Sequence, residues 1–178
     1  TVDALKQSKS LGAEVLMLAM NTDKSNEALL VIKANQRIMA LLAGDEAYKP
    51  EILQIGGDDA AGMVIAIPWH VLAHKDNPFV KEAARLWKTT NINWRTAMAY
   101  DAAIAFATAM KQNTTRESIQ SALANPNFVA QGASAPIRFL PSGDRNQPIQ
   151  LVMVKPGKRS GYQLSLIHIS EPTRLLSI

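Results

Sequence analysis

Cysteine is absent from the 178-residue sequence. This absence excludes disulfides, thiolate metal sites and a cysteine nucleophile, and it is compatible with any cellular compartment. No apolar run reaches the roughly 18 residues of a membrane-spanning helix, and no signal peptide is visible. The first residues, Thr1 to Leu5, are typical of a helix interior rather than a native start, so the missing leader excludes nothing.

A concentration of positive charge is also lacking. The net charge is +4, with lysines and arginines scattered among the acids, whereas nucleic-acid-binding proteins usually carry a basic stripe interleaved with aromatic residues. We therefore predict no nucleic-acid partner. The 47% hydrophobic content is ordinary for a globular protein, and the length allows one domain or two small lobes with a buried core.

Motifs for catalysis and for cofactor binding are missing or incomplete. No serine lies in a nucleophile elbow, and Gly56 to Gly62 lacks the spacing and the lysine of a phosphate loop. His70 and His74 have a zinc-like spacing but no acid between them, and Asp58 and Asp59 have no evident third ligand. The sequence therefore predicts no metal site, no cofactor and no acyl-transfer activity.

Two short apolar runs are prominent in the first half, Ile38 to Ala43 and Met63 to Ile67. Neither alternates polar with apolar residues, which is typical of strands covered on both faces in a parallel sheet. A third apolar run, Glu14 to Met20, precedes a predicted helix from about Ser25 to Gln36. This strand–helix–strand order predicts parallel strands, a right-handed crossover and an α/β fold class.

Polar residues follow the first two of these strands in the chain. Asn21 and Thr22 come after the first strand, and Asp45, Glu46 and Tyr48 come after the second. Because ligands bind at the carboxyl edge of open α/β sheets, these residues are the candidate site. A carboxylate there can hold a ligand ammonium through charge-assisted hydrogen bonds. Solvated turn acids are the alternative, and the sequence leaves both open.

The second half changes from helices to strands. Pro78, placed after the capping residue Asn77, begins one predicted helix, and an alanine-rich helix covers about Trp94 to Lys111. Thr114 and Glu117 fit a capping box for the next helix. Beyond it, two predicted strands around a turn occupy Ile137 to Leu140 and Pro148 to Val154.

The tail is foreign to this pattern. The segment Leu164 to Arg174 resembles the in-frame translation of a transposon-type sequencing-library adaptor. We therefore interpret residues 164–178 as a non-native tail, which excludes His168 as a ligand. Deleting the tail is expected to leave stability unchanged or improved.

The order of several short motifs resembles the second half of a type I periplasmic binding protein. The motifs are Ala43-Gly-Asp-Glu46, Ala60-Ala-Gly-Met-Val-Ile65, Tyr100-Asp-Ala102 and Ile137-Arg-Phe-Leu-Pro-Ser-Gly-Asp144. The nearest group is the one related to the leucine/isoleucine/valine-binding protein, and the resemblance covers Val2 to Gln163. It implies a parallel sheet flanked by helices and two lobes, one of them incomplete, joined by three crossings.

The resemblance also implies how the chain divides and where a ligand binds. Residues 1–67 would form the second ligand-binding lobe, residues 68–130 the helices of the truncated first lobe, and residues 131–163 a β hairpin crossing back. The family's amine-binding acid matches Asp45 or Glu46, with the choice left open, and a neighbouring contact matches Asn21 and Thr22. The groups that bind the ligand carboxylate would lie upstream of Thr1.

The resulting prediction is a non-enzymatic, periplasmic or extracytoplasmic substrate-binding component of an ABC-type transporter. It would capture an amino acid or similar small solute between its lobes and present it to a membrane permease. One alternative is the ligand-sensing domain of a signalling receptor. Another is a doubly wound enzyme in which Asp45 and Glu46 act as acid and base.

Overall fold

The computed structural model describes residues 2–134, 136–157 and 161–167, with the backbone only for Thr22, Gly161 and Tyr162. The described chain forms two compact units. The first contains the described residues up to Ile67 and those between Gln150 and Ile167, and the second contains those between Pro68 and Ile149. Within this part of the chain, no helix has the length and apolar character needed to cross a membrane.

Helices and strands alternate along the first unit, and helices dominate the second. The helices are α1 (Val2–Ser10), α2 (Ser25–Asn35), α3 (Pro50–Ala60), α4 (Pro78–Trp87), α5 (Trp94–Ala109) and α6 (Arg116–Ala124). The strands are β1 (Val15–Leu18), β2 (Ala40–Ala43), β3 (Val64–Ile67), β4 (Ala130–Gln131), β5 (Pro136–Ile137), β6 (Gln150–Gly157) and β7 (Gly161–Ile167).

The first unit contains a five-stranded sheet in the order β1-β2-β3-β6-β7. β1, β2 and β3 run parallel, while β6 pairs antiparallel with β3 and β7 antiparallel with β6. The predicted α/β class and the parallel arrangement are therefore confirmed. Alternate residues of β2 and β3, namely Leu41, Ala43, Ile65 and Ile67, are buried, whereas Val15 and Met17 of β1 are exposed.

Local geometry directs the chain from each helix into the next strand. The buried Asn35 side chain closes the turn after α2, since its amide donates to the Met39 carbonyl and accepts from the Met39 amide. Gln36 and Arg37 adopt positive φ in this turn. Within α3 the backbone is non-helical at Gly57 (φ +52°), a conformation that glycine adopts readily.

Two clusters of apolar side chains fill the second unit. Trp69, Phe79, Val80 and Ala97 belong to the first, and its Trp69 indole donates to the Ala133 carbonyl. The second cluster joins α5 to the two-stranded β4–β5 sheet through Ala105, Ala130 and Ile137. α4 begins as predicted, because the Asn77 side chain accepts from the Phe79 amide.

A buried ion pair organises the loop between β4 and β6. Asp101 on α5 is only 1% exposed, and its carboxylate accepts from Arg145 at 2.9 Å, from the Ser134 hydroxyl and from the Ala133 amide. A Cβ on Gly132 would collide with this carboxylate, so only glycine fits there. The Gln147 side chain donates to the Pro68 carbonyl and fastens the same loop to the start of the unit.

Two local predictions for this region are wrong. The predicted hairpin between Ile137–Leu140 and Pro148–Val154 does not form. Ile137 pairs with Ala130 instead, while β6 pairs with β3 and β7. The hydrophobic pattern located the strands, but partner choice depends on distant residues. The N-cap of α6 is Thr115, one residue after the predicted Thr114, and its hydroxyl accepts from the Ser118 amide.

The structure also differs from the expectation that the tail lies outside the fold. Leu164 to Ile167 belong to β7, where they pair in register with Val154 to Leu151 of β6. The exclusion of these four residues from the fold was wrong, since an apolar segment next to a sheet edge can satisfy its backbone there. Residues 168–178, including His168, lie outside the described residues. Whether the segment derives from an adaptor stays a prediction.

Candidate functional site

Two loops meet at the carboxyl edge of the parallel strands. Leu18 of β1 pairs with Ala43 of β2 in the last register position, so the residues that follow both strands leave the sheet at the same edge. Each loop then makes one turn of 3₁₀ helix, over Thr22–Lys24 and over Asp45–Ala47. The structure thus brings the two predicted groups of polar residues to one edge, as the sequence pattern predicts.

In the first loop Asn21 is exposed and directly precedes the 3₁₀ helix. The Thr22 side chain lies outside the described residues, so its predicted role stays a prediction. Asp23 is exposed, and Lys24 forms an exposed ion pair with Glu27 at 3.2 Å. The backbone hydrogen bond of Glu27, followed by the contact with Lys24, lowers the pKa of the Glu27 carboxyl.

In the second loop Asp45 is partly buried. Across the described ranges its carboxylate has no hydrogen-bond or ion-pair partner. The backbone around it is fixed, because the Tyr48 amide donates to the Asp45 carbonyl at 3.0 Å and Ala47 is buried. Burial raises the pKa of the Tyr48 phenol above its ordinary value.

The adjacent acid, Glu46, differs from Asp45 because it has a cation close by. The Lys49 ammonium lies 4.0 Å from a Glu46 carboxylate oxygen, and it donates to the Ser25 hydroxyl at 2.9 Å. The side chains of Lys49 and Glu46 are 17% and 28% exposed, so the pair is far less solvated than Lys24–Glu27. Lys49 therefore offsets the charge of Glu46 and ties the second loop to the start of α2.

Each loop therefore combines one lysine–glutamate ion pair with one aspartate outside it. Asp23 of the first loop is exposed, whereas Asp45 is partly buried on a hydrogen-bonded turn. A partly buried aspartate without an internal cation suits a ligand ammonium. The acid–base enzyme alternative needs both Asp45 and Glu46, and Lys49 already engages Glu46. Lys49 is not among the site residues predicted from the sequence, although its i,i+3 spacing from Glu46 is a usable signal.

Concave surfaces occur in both units. A cavity of about 450 Å³ is lined by residues of β1, of the loop after it and of α2. Asn21 is the one predicted site residue in its lining. In the second unit, an apolar groove of about 640 Å³ lies between α5, α6 and the loop after Phe139, and none of the predicted site residues lines it.

The histidine pair of the second unit serves the fold. The buried His70 ring accepts from the Leu72 amide and caps a 3₁₀ turn, while His74 stacks on Trp69 with ring centroids 5.6 Å apart. Burial, followed by repulsion from His74, lowers the pKa of His70 to about 4. In the part of the chain that the structure describes, no group of three metal-ligating side chains occurs.

Comparison with known proteins identifies the fold. No protein-family model and no curated protein matches the sequence. A leucine-binding protein from Thermotoga maritima MSB8 superposes with a TM-score of 0.70 at 23% identity, covering 93% of this chain and 47% of that chain. A leucine-, isoleucine-, valine-, threonine- and alanine-binding protein from Brucella ovis, in its closed conformation, gives 0.75 at 12% identity, covering 94% and 45%.

A third similar structure differs in its ligand. A solute-binding protein of an ABC transporter from R. palustris, in complex with 4-hydroxybenzoate, gives a TM-score of 0.67 at 15% identity, covering 93% of this chain and 47% of that chain. The chain has the type I periplasmic-binding-protein fold seen in these structures, as the sequence motifs predict. It spans about half the length of the chains it matches.

Proposed function

We propose that this chain is part of the substrate-binding component of an ABC-type transporter and binds an amino acid or similar amine-bearing solute. The observation that carries the proposal is the half-buried Asp45 carboxylate, which has no internal partner in the described structure and stands at the carboxyl edge of the sheet. In this fold class that edge is where ligands bind. We assign the contact with the ligand ammonium to Asp45 rather than Glu46, because Lys49 already engages Glu46.

The charge at this edge supports an amine over a purely acidic ligand. The similar structures include proteins for branched-chain amino acids and one in complex with 4-hydroxybenzoate, so the fold alone does not select the ligand class. An ammonium gains a charge-assisted hydrogen bond from a half-buried carboxylate. A ligand whose only charge is a carboxylate would be repelled by Asp45. Asn21 and Tyr48 supply neutral polar groups on the same two loops.

The remaining parts of the proposal follow from this role. The partner would be a membrane permease that receives the solute, and the location would be periplasmic or extracytoplasmic. The module would be non-enzymatic, since its proposed task is reversible capture. The Asp45 contact is expected to contribute about 1.5–3 kcal/mol to binding.

The test uses the intact protein that carries this chain. A thermal-shift screen of amino acids, diamines and aromatic acids identifies a ligand, and calorimetry then compares the parent with Asp45→Ala and Glu46→Ala. Asp45→Ala should weaken binding at least roughly tenfold, since each 1.4 kcal/mol is a factor of ten. Glu46→Ala should weaken it less.

Asp23→Ala is the matched control, because it removes a solvated aspartate from the neighbouring loop. It should leave the affinity unchanged. If both Asp45→Ala and Glu46→Ala bind the ligand as the parent does, the two acids are solvated turn residues. A parent protein that binds only purely acidic ligands would likewise contradict the amine assignment.

A further inference from the structure

Lys49 is an unusual residue for this edge of the sheet. Its side chain is 17% exposed, although lysine side chains usually extend into water. The ammonium is held by the Ser25 hydroxyl at the start of α2 and lies beside the Glu46 carboxylate in its own loop. Lys49 also directly precedes α3, so a single side chain links the starts of two helices.

The position of this ammonium sets the charge available to a ligand. Asp45 and Glu46 are consecutive, and without a nearby cation they would present two negative charges on one 3₁₀ turn. With Lys49 beside Glu46, that turn presents one uncompensated negative charge, which lies on Asp45. One half-buried charge matches one ligand ammonium, whereas two would favour a ligand with a second cationic group.

We infer that Lys49 is a specificity-determining residue that restricts the proposed site to ligands with a single ammonium group. This inference rests on the proposed function and extends it to the ligand class. Lys49 acts through Glu46 and is a positioning residue, with no contact to the ligand required. A diamine or a dibasic amino acid is excluded because its second ammonium finds no free carboxylate in this loop.

The first loop supplies a matched control for this inference. Lys24 and Glu27 form the same kind of lysine–glutamate pair three residues apart, but both side chains are more than half exposed. A pair in that environment is screened by water and salt. Removing Lys24 should therefore not create a usable second binding charge, while removing Lys49 should.

The experiment measures affinity for two ligand series in the intact protein. Leucine and alanine represent ligands with one ammonium, and ornithine and lysine represent ligands with two. Calorimetry compares the parent with Lys49→Met, Lys49→Arg and Lys24→Met. Lys49→Met should raise the affinity for ornithine or lysine relative to the one-ammonium ligand by at least about tenfold. Lys49→Arg should restore the parent preference, and Lys24→Met should leave it unchanged.

The failure of this inference can be told from the failure of the proposed function. If Asp45→Ala abolishes binding but Lys49→Met lowers the affinity for both series equally, the lysine is merely structural and the inference is overturned. If no ligand with an ammonium binds the parent, the proposed function fails and the inference falls with it. Should Lys49→Met not fold, Lys49→Gln takes its place, and an unchanged preference in the folded Lys49→Gln variant would overturn the inference.

Discussion

Two aspartates, one in each unit, differ in burial and in whether the protein supplies a hydrogen-bonding or charged partner. Asp101 in the second unit is 1% exposed and accepts hydrogen bonds from Arg145, Ser134 and Ala133. Asp45 in the first unit is half-buried and has no such partner in the described structure. The same side chain therefore serves the fold in one unit and remains available for a ligand in the other.

The difference has a simple physical origin. A fully buried carboxylate must be paired, because an uncompensated charge in a dry interior costs several kcal/mol. A half-buried carboxylate keeps part of its hydration, so it can remain without an internal partner and bind an external cation. Substitutions that remove these charged groups test this contrast, and the largest effect is expected at the residue on which the fold depends most.

Removing the buried carboxylate should have the largest effect. Asp101→Ala leaves the Arg145 guanidinium and two further donors without their acceptor, and breaking a buried pair in this way costs about 3–5 kcal/mol. Urea denaturation of the parent and the variant measures the loss. Glu82→Ala, which breaks an exposed pair with Arg85, is the control and should cost less than about 1 kcal/mol. Similar losses for the two variants would contradict the assigned role of Asp101.

Acid should destabilise the second unit through His70. Its pKa is about 4 in the folded protein and about 6.5 when unfolded, so the unfolded chain binds the extra proton first. The free energy of unfolding is therefore intact above pH 6.5 and falls by up to about 3 kcal/mol as the pH drops toward 4. The partly buried His74 shifts in the same direction and adds to the fall.

His70→Asn isolates this contribution, because its side-chain oxygen can still accept from the Leu72 amide. Denaturation curves between pH 7 and pH 4 should show a smaller pH dependence for the variant than for the parent. Parallel curves over that range would show that His70 is not held neutral by burial.

Truncating the last strand, β7, should have a smaller effect on the free energy of unfolding. A chain ending at Gln163 loses the four register pairs that Leu164 to Ile167 make with β6, and at roughly 0.2–1 kcal/mol for each pair the loss is about 2 kcal/mol. A chain ending at Ile167 keeps them and should be as stable as the full sequence. Thermal denaturation of the two truncated chains compares them directly. Equal stability would restore the expectation that the segment is foreign to the fold.

The smallest effect is expected at the candidate site itself. Asp45→Ala removes no internal hydrogen bond or ion pair of the described structure, so the stability of the unliganded protein should change by no more than about 0.5 kcal/mol. The same denaturation assay that reports on Asp101→Ala measures it. A loss of several kcal/mol would mean that the Asp45 carboxylate serves the fold, which removes the contrast between the two units.

The sequence by itself determined the features that depend on local pattern. The apolar runs of β2 and β3 and the capping role of Asn77 are predicted from the sequence alone. The meeting of Asn21 and Asp45 at one edge was also predictable, because consecutive parallel strands place their carboxyl ends side by side. Strand ends were less precise, and β1 and β2 are each shorter than predicted.

Only the tertiary structure decided the features that depend on residues far apart in the chain. Lys49 meets Ser25 across 24 positions, Arg145 meets Asp101 across 44, and β6 takes β3 and β7 as partners instead of forming the predicted hairpin. A sequence pattern reports which face of an element avoids water, but not which distant element covers it. For that reason the sequence predicted both Asp45 and Glu46 as site residues without choosing between them. The structure was needed to show that Lys49 engages Glu46 and leaves Asp45 without an internal partner among the described residues.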